Sequence, residues 1–274
     1  MAGERLVSRF SLRRLLRFRW TGKCFETATS HMQNVSSKLK NEMQLKKITD
    51  KGKTGNFYVG KSEIITISWN NGANPDFFAF GVSRELRQVD KEYFAIQTVG
   101  ENYKLIEEQL PSNIESYQST KDENGNQYFC FYQEGIIHGF DKNAKRILEW
   151  GADEVGQGHP IYDIDYQFPD SLWLAFPTGQ TVSQVSISKR KETYKVGEYT
   201  WEDKYDPLSY PESLSVKGKF VYIPNMGNNK LFRLDNETKE LELIETFEEK
   251  LWQYEETDLG IFIVTDTGIY EIEK

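Results

Sequence analysis

Four stretches of this chain repeat one plan: a Pro or Trp lead-in, an apolar strand, a turn, a second strand ending in a charge, and a third strand. They open at Leu110-Pro111, His159-Pro160, Pro211 and Leu251-Trp252, and cover residues 110–150, 159–199, 211–248 and 251–274. A period of about forty residues made of short strands is the trace that repeated four-stranded propeller blades leave in a sequence. With 274 residues and 38% hydrophobic content, the chain can bury such a core within one domain. Its 15 Tyr and 17 Phe suit a pleated surface, and helix-period stretches are hard to find after Lys47. The expected fold class is all-β, a propeller.

The clearest unit lies at 211–235. Two alternating strands flank the tight turn Lys217-Gly218-Lys219, residues 225–229 form a polar turn, Lys230-Leu-Phe-Arg-Leu234 makes a third strand, and residues 240–246 supply a fourth. With its leading proline and Asn228-Asn229-Lys230 ahead of an apolar run, this unit resembles an NHL-type blade of the gluconolactonase-like propeller superfamily. The resemblance implies a fold shared by many functions. In the preceding unit, strands are expected at 161–167, 171–176, 181–187 and 192–196. One unit earlier they are expected at 113–117, 127–132, 135–140 and 146–150, with Asp122-Glu-Asn-Gly-Asn126 as the hairpin turn.

The last unit offers only three strands, at 251–254, 260–264 and 268–272. Residues 43–49 resemble the outer strands elsewhere, so they are expected to pair with 268–272, complete the blade and remove an open sheet edge. Residues 55–110 fit least well. Six strand candidates, at 56–59, 63–69, 76–81, 85–89, 93–97 and 103–106, are too many for one blade and too few for two. Five blades are expected, the first enlarged, with six as the alternative.

Charge divides the chain in two. Seven basic and two acidic residues fall in 1–32, which leaves 27 basic and 40 acidic residues after it. An acidic body repels phosphate backbones, so nucleic acid is not the expected partner. Within 1–32, Leu12, Leu15, Leu16 and Trp20 recur at helical spacing between arginines, as in a targeting or docking helix. His31-Met32 is also what a common cloning junction leaves, and the reading of 1–32 as a tag is placed first; the propeller domain is then 33–274. No run reaches the apolar length of a membrane span. Cys24 and Cys130 form no disulfide framework, which points to a reducing, cytoplasmic setting, and Cys130 within Tyr128-Phe-Cys-Phe-Tyr132 reads as a small buried hydrophobe.

In a propeller, the loops that lead into inner strands and those joining second to third strands gather around the central channel, which makes that face the default pocket. His159 at the mouth of an inner strand, followed by Asp163 and Asp165 on one strand face, can serve as an acid–base pair or hold a divalent cation. Tying neighbouring blades by hydrogen bonds is the stronger reading of these three. Asn225 and Asn228 sit in the polar turn of the clearest unit, where left-handed turn geometry accounts for them. Trp69, Glu134 and Asp266 occupy comparable loop ends, and Trp173, Tyr132 and Tyr222 lie near expected loops, where rings can stack on a ligand. His138 is expected in the core.

There is no phosphate loop, Cys-x-x-Cys pair, His-Glu-x-x-His or Gly-x-Ser-x-Gly elbow. The expected function is therefore a binding module whose channel face takes a small molecule or a protein segment. The alternative, carried by the gluconolactonase-like resemblance, is a hydrolase or lactonase using a Ca-type cation in the channel, or a lyase. The chain departs from that pattern because it lacks the early Glu-Gly-Pro, and neither a catalytic residue nor a metal ligand is assigned.

Overall fold

A strand covered on both faces reads as an unbroken apolar run. Ile64-Ile-Thr-Ile67 and Leu172-Trp-Leu-Ala-Phe176 are such runs, and every apolar residue in them is fully buried. The computed structural model describes residues 43–50, 56–69, 74–155, 158–198 and 207–273. It contains five antiparallel sheets of four strands each, a five-bladed β-propeller.

Strand β1 (Gln44–Asp50) precedes the first blade, which is β2 (Phe57–Val59), β3 (Ile64–Ser68), β4 (Asp76–Phe80) and β5 (Arg87–Val89). Helices α1 (Lys91–Thr98) and α2 (Tyr103–Glu107) then lead to the second blade: β6 (Gln118–Lys121), β7 (Gln127–Phe131), β8 (Ile136–Phe140) and β9 (Arg146–Gly151). A short helical turn, α3 (Ala152–Val155), is followed by the third blade: β10 (Asp163–Gln167), β11 (Ser171–Phe176), β12 (Thr181–Ser186) and β13 (Lys191–Val196). The fourth is β14 (Ser215–Lys217), β15 (Phe220–Asn225), β16 (Lys230–Asp235) and β17 (Leu241–Thr246). The fifth joins β18 (Leu251–Thr257), β19 (Gly260–Thr265) and β20 (Gly268–Glu273) to β1.

Strand β1 therefore closes the ring as the sequence suggests, with Gln44 opposite Glu273 and Asp50 opposite Gly268. Gly268 is required there: its φ is +153° and a Cβ would overlap the Thr49 carbonyl. Arg84 of the first blade adds a side-chain staple to the fifth, donating through Nε to Glu271 at 2.9 Å while its guanidinium lies over the Phe262 ring.

The core consists of five apolar clusters, one at each blade interface. Phe57, Ile64 and Phe80 meet Phe262, Val264 and Ile269 of the fifth blade, while Ile65 and Ile67, on the opposite face of β3, join the second blade through Phe129 and Phe140. Alternation along one strand thus feeds two interfaces.

Two expectations are corrected. Residues 93–97 and 103–106 are helical, not strands. Asp90 caps α1 by accepting from the Tyr93 amide at 2.7 Å, and Phe94, Ala95, Val99, Tyr103, Ile106 and Leu110 form a buried stripe at helical spacing. This stripe widens the interface between the first two blades, which is why the region holds too many segments for one blade. Residues 113–117 are not the inner strand of the second blade either. Residues Ile114–Ser116 form a 3-10 turn and the strand starts at Gln118. The expectation for 1–32 lies outside the described residues, as do residues 70–72, which follow Trp69, and residues 156–157, which precede His159.

Candidate functional site

Each inner strand presents one unpaired backbone edge to the channel, and buried N–H and C=O groups there need partners. The chain supplies them blade by blade. Tyr58 of the first blade donates its hydroxyl to the carbonyls of Glu115 and Tyr117 ahead of β6, and Thr120 of the second accepts from the Tyr166 amide of the third at 3.1 Å. Asp163 and Asp165 of the third accept from the amides of Leu214 and Val216 in the fourth, at 2.8 and 2.7 Å. Ser213 and Ser215 donate to the Trp252 carbonyl and the Glu255 carboxylate, and Gln253 of the fifth accepts from the Phe57 amide of the first at 3.0 Å. The relay runs once round the ring.

Asp163 and Asp165 thus sit in the middle of the channel with their oxygens on donors. Asp163 also accepts from the Ile164 amide at 2.9 Å, and Asp165 from the Thr120 hydroxyl and the Tyr166 amide, both at 2.8 Å. Burial nevertheless pushes the Asp163 carboxyl up to about 8, against the opposing pull of its two amide donors. Burial, followed by the charges of Asp165 and Asp163, raises Glu255 as well.

His159 and Asp163 face different neighbours. The His159 ring rests against Gly179 and lies 3.4 Å from the Thr178 hydroxyl. Among the described residues, no group of three or more His, Cys, Asp or Glu side chains is disposed to hold a metal ion.

At one end of the channel lies a cavity of about 770 Å³. Its walls come from the segments leading into inner strands and from the ends of second strands: Asn56 and Trp69 of the first blade, Gln118 and Phe131 to Gln133 of the second, Tyr162 of the third, Glu212 of the fourth, and Trp252, Gln253, Thr265 and Asp266 of the fifth. Trp69 and Tyr132 remain 45% and 43% exposed. The Tyr132 and Tyr162 rings lie 5.0 Å apart at 30°, and the Trp252 indole donates to Asp266 at 2.9 Å.

Of the residues singled out from sequence, Trp69, Tyr132 and Asp266 line this cavity. Glu134 lies beside it, accepting from the Tyr117 hydroxyl and 3.1 Å from the buried His138 ring. Asn225 is wholly buried, accepting from the Ser209 amide and donating to the Ile223 carbonyl; Asn228 donates to the Pro207 carbonyl. Trp173 is wholly buried between the third and fourth blades, with its indole on Gln167, and Tyr222 stacks on Tyr254 at 4.5 Å. Both strands are covered on two sides, so neither ring reaches a loop. Sequence reasoning passed over Tyr162, Glu212 and Trp252. A signal was present: each lies within two residues of the Pro160, Pro211 or Leu251 that opens a repeat.

No family model matches the chain, and no curated protein does. Solved structures resemble it in fold. A streptogramin B lyase is similar over 84% of this chain and 97% of that one, at 12% identity and a TM-score of 0.51. YCF48 bound to D1 peptide is similar over 85% and 96%, at 6% identity and a TM-score of 0.50. A virginiamycin B lyase from Staphylococcus aureus matches over 80% of this chain at 13% identity and a TM-score of 0.46, and the chain spans only 65% of its length. At these identities the likeness shows the fold alone. Among the described residues, no helix is long and apolar enough to cross a membrane.

Proposed function

We propose that this propeller is a binding module that takes up a small ligand at the channel mouth. The observation that carries the reading is the cavity of about 770 Å³ to which all five blades contribute. It falls in the range of small-molecule sites, roughly 300–1,000 Å³, and combines apolar walls with a few convergent polar groups, as such sites do. Amides of Asn56, Gln118, Gln133 and Gln253 can orient a bound molecule, while the rings supply contact area.

Ligand-observed NMR with a library of small polar molecules tests this. Compounds whose signals broaden in the presence of the protein are expected to lose that effect with Trp69→Ala combined with Tyr132→Ala. These two rings are already half exposed, so the double variant keeps its fold. Hits unaffected by the double variant, in a protein with unchanged circular dichroism, would place binding elsewhere and overturn the reading.

A further inference from the structure

Lysine, arginine and histidine are absent from the described residues that line the mouth, which carries two carboxylates, Glu212 and Asp266. Glu212 is half-buried, and among the described residues no donor hydrogen-bonds to it. Burial raises its carboxyl above the usual range, opposed by the charge of Lys250, an exposed residue outside the lining. Glu212 stands close enough to Tyr162 that its charge, after burial, helps hold the phenol up. Asp266 is held by the Trp252 indole, a neutral donor.

The acids behind the wall lean mainly on hydroxyl donors. Glu249 accepts from the hydroxyls of Thr265 and Thr267, at 2.7 and 2.6 Å, and Glu134 accepts from that of Tyr117 and lies 3.1 Å from the His138 ring. The recess therefore combines partly exposed aromatic faces with negative charge that no cation among the described lining residues offsets.

That combination selects among ligand classes. An anion is repelled. A bare divalent cation prefers several oxygen ligands and gains little from rings. A neutral sugar stacks on the rings but leaves the half-buried carboxylates uncompensated. An organic cation satisfies both, because its charge is attracted to the negative ring faces and to the carboxylates at once. Resting on the reading that the mouth is a ligand site, we propose that its ligand is a small organic cation, an alkylammonium group seated among Trp69, Tyr132, Tyr162 and Trp252 and facing Glu212 and Asp266.

Choline and its uncharged carbon isostere, 3,3-dimethylbutan-1-ol, separate charge from shape. Titrated calorimetrically and by the fluorescence of the mouth tryptophans, choline is expected to bind about tenfold more tightly than the isostere, and to weaken as salt rises. Glu212→Gln is expected to remove most of that advantage while leaving the isostere unchanged. Trp69→Ala should weaken both.

Equal affinities, an unchanged choline affinity in Glu212→Gln, or no choline binding at millimolar concentration would overturn the cation assignment. Neutral compounds that bind and lose binding in the Trp69 and Tyr132 double variant would still sustain the mouth as a site, so the two failures can be told apart. Acetyl-trimethyllysine amide, run alongside, separates a free headgroup from one carried on a peptide. Tighter binding of that compound than of choline would overturn the small-molecule assignment.

Discussion

The middle of the channel and its mouth both hold carboxylates, but they treat them in opposite ways. In the middle, Asp163 and Asp165 are surrounded by donors from the next blade and the next residue. At the mouth, Glu212 has no hydrogen-bond donor among the described residues and Asp266 has one neutral donor. A polar group whose partners are all internal contributes to holding the ring together, whereas one left at a recess with exposed rings is placed to meet something from outside. The contrast can be broken experimentally, because it assigns stability to one set of acids and recognition to the other.

The largest expected effect is on the pH dependence of folding. The Asp163 carboxyl moves from the ordinary range near 3.8 in the unfolded chain to about 8 in the fold. Between those values the folded protein keeps a proton that the unfolded chain has released. The stabilising contribution is thus complete below about 4 and is lost as pH rises through 8, at up to about 1.4 kcal/mol per unit, several kcal/mol over the window. Glu255 is raised in the same direction. Denaturant unfolding should therefore show stability falling between pH 5 and 8.5, with a flatter profile in Asp163→Asn. A profile with the same slope in both proteins would show that Asp163 is not the group responsible.

Next in size is Asp165→Ala, which strands the Val216 amide and takes an acceptor from the Tyr166 amide and the Thr120 hydroxyl. Losing an acceptor from several buried donors is expected to cost about 3 kcal/mol, even after the relief of burying one fewer carboxylate. Gln253→Ala removes a single neutral bond to the Phe57 amide at the seam where the fifth blade meets the first, so about 1 kcal/mol is expected. If Asp165→Ala cost no more than Gln253→Ala, the blade-to-blade relay would not be the principal use of the mid-channel acids.

How far the sequence revealed this contrast differs between fold and site. The propeller was legible because second strands covered on both faces become apolar runs at a steady spacing, and because β1 carries an outer-strand pattern with no blade of its own. Residues 93–97 misled for a local reason. Tyr, Phe and Ile favour strands by composition, and the helical period shows only when Phe94, Val99, Tyr103 and Ile106 are read together across a turn. At the site, Trp69 and Asp266 were legible as loop ends. Trp173 was not, because strand alternation says nothing about direction when both faces are buried. Tyr162, Glu212 and Trp252 escaped because the direction of a residue just ahead of an inner strand depends on where the channel axis lies, which the repeat does not record.

The smallest expected effect tests the other half of the contrast. Trp69→Ala removes a ring that is 45% exposed, and Glu212→Gln replaces a carboxylate that burial already disfavours in its charged form. Neither leaves a buried donor unpaired among the described residues, so each should change folding stability by no more than about 0.5 kcal/mol, as for surface substitutions away from structural features. Glu212→Gln should sit on the stabilising side of zero above neutral pH, because it removes the cost of holding a charge in the recess. The pair is best measured beside Asp165→Ala by denaturant unfolding at one pH. A loss of 2 kcal/mol or more in Glu212→Gln, beyond the about 0.5 kcal/mol allowed above, would mean that this carboxylate is structural after all, and the mouth would then differ from the middle of the channel only in depth.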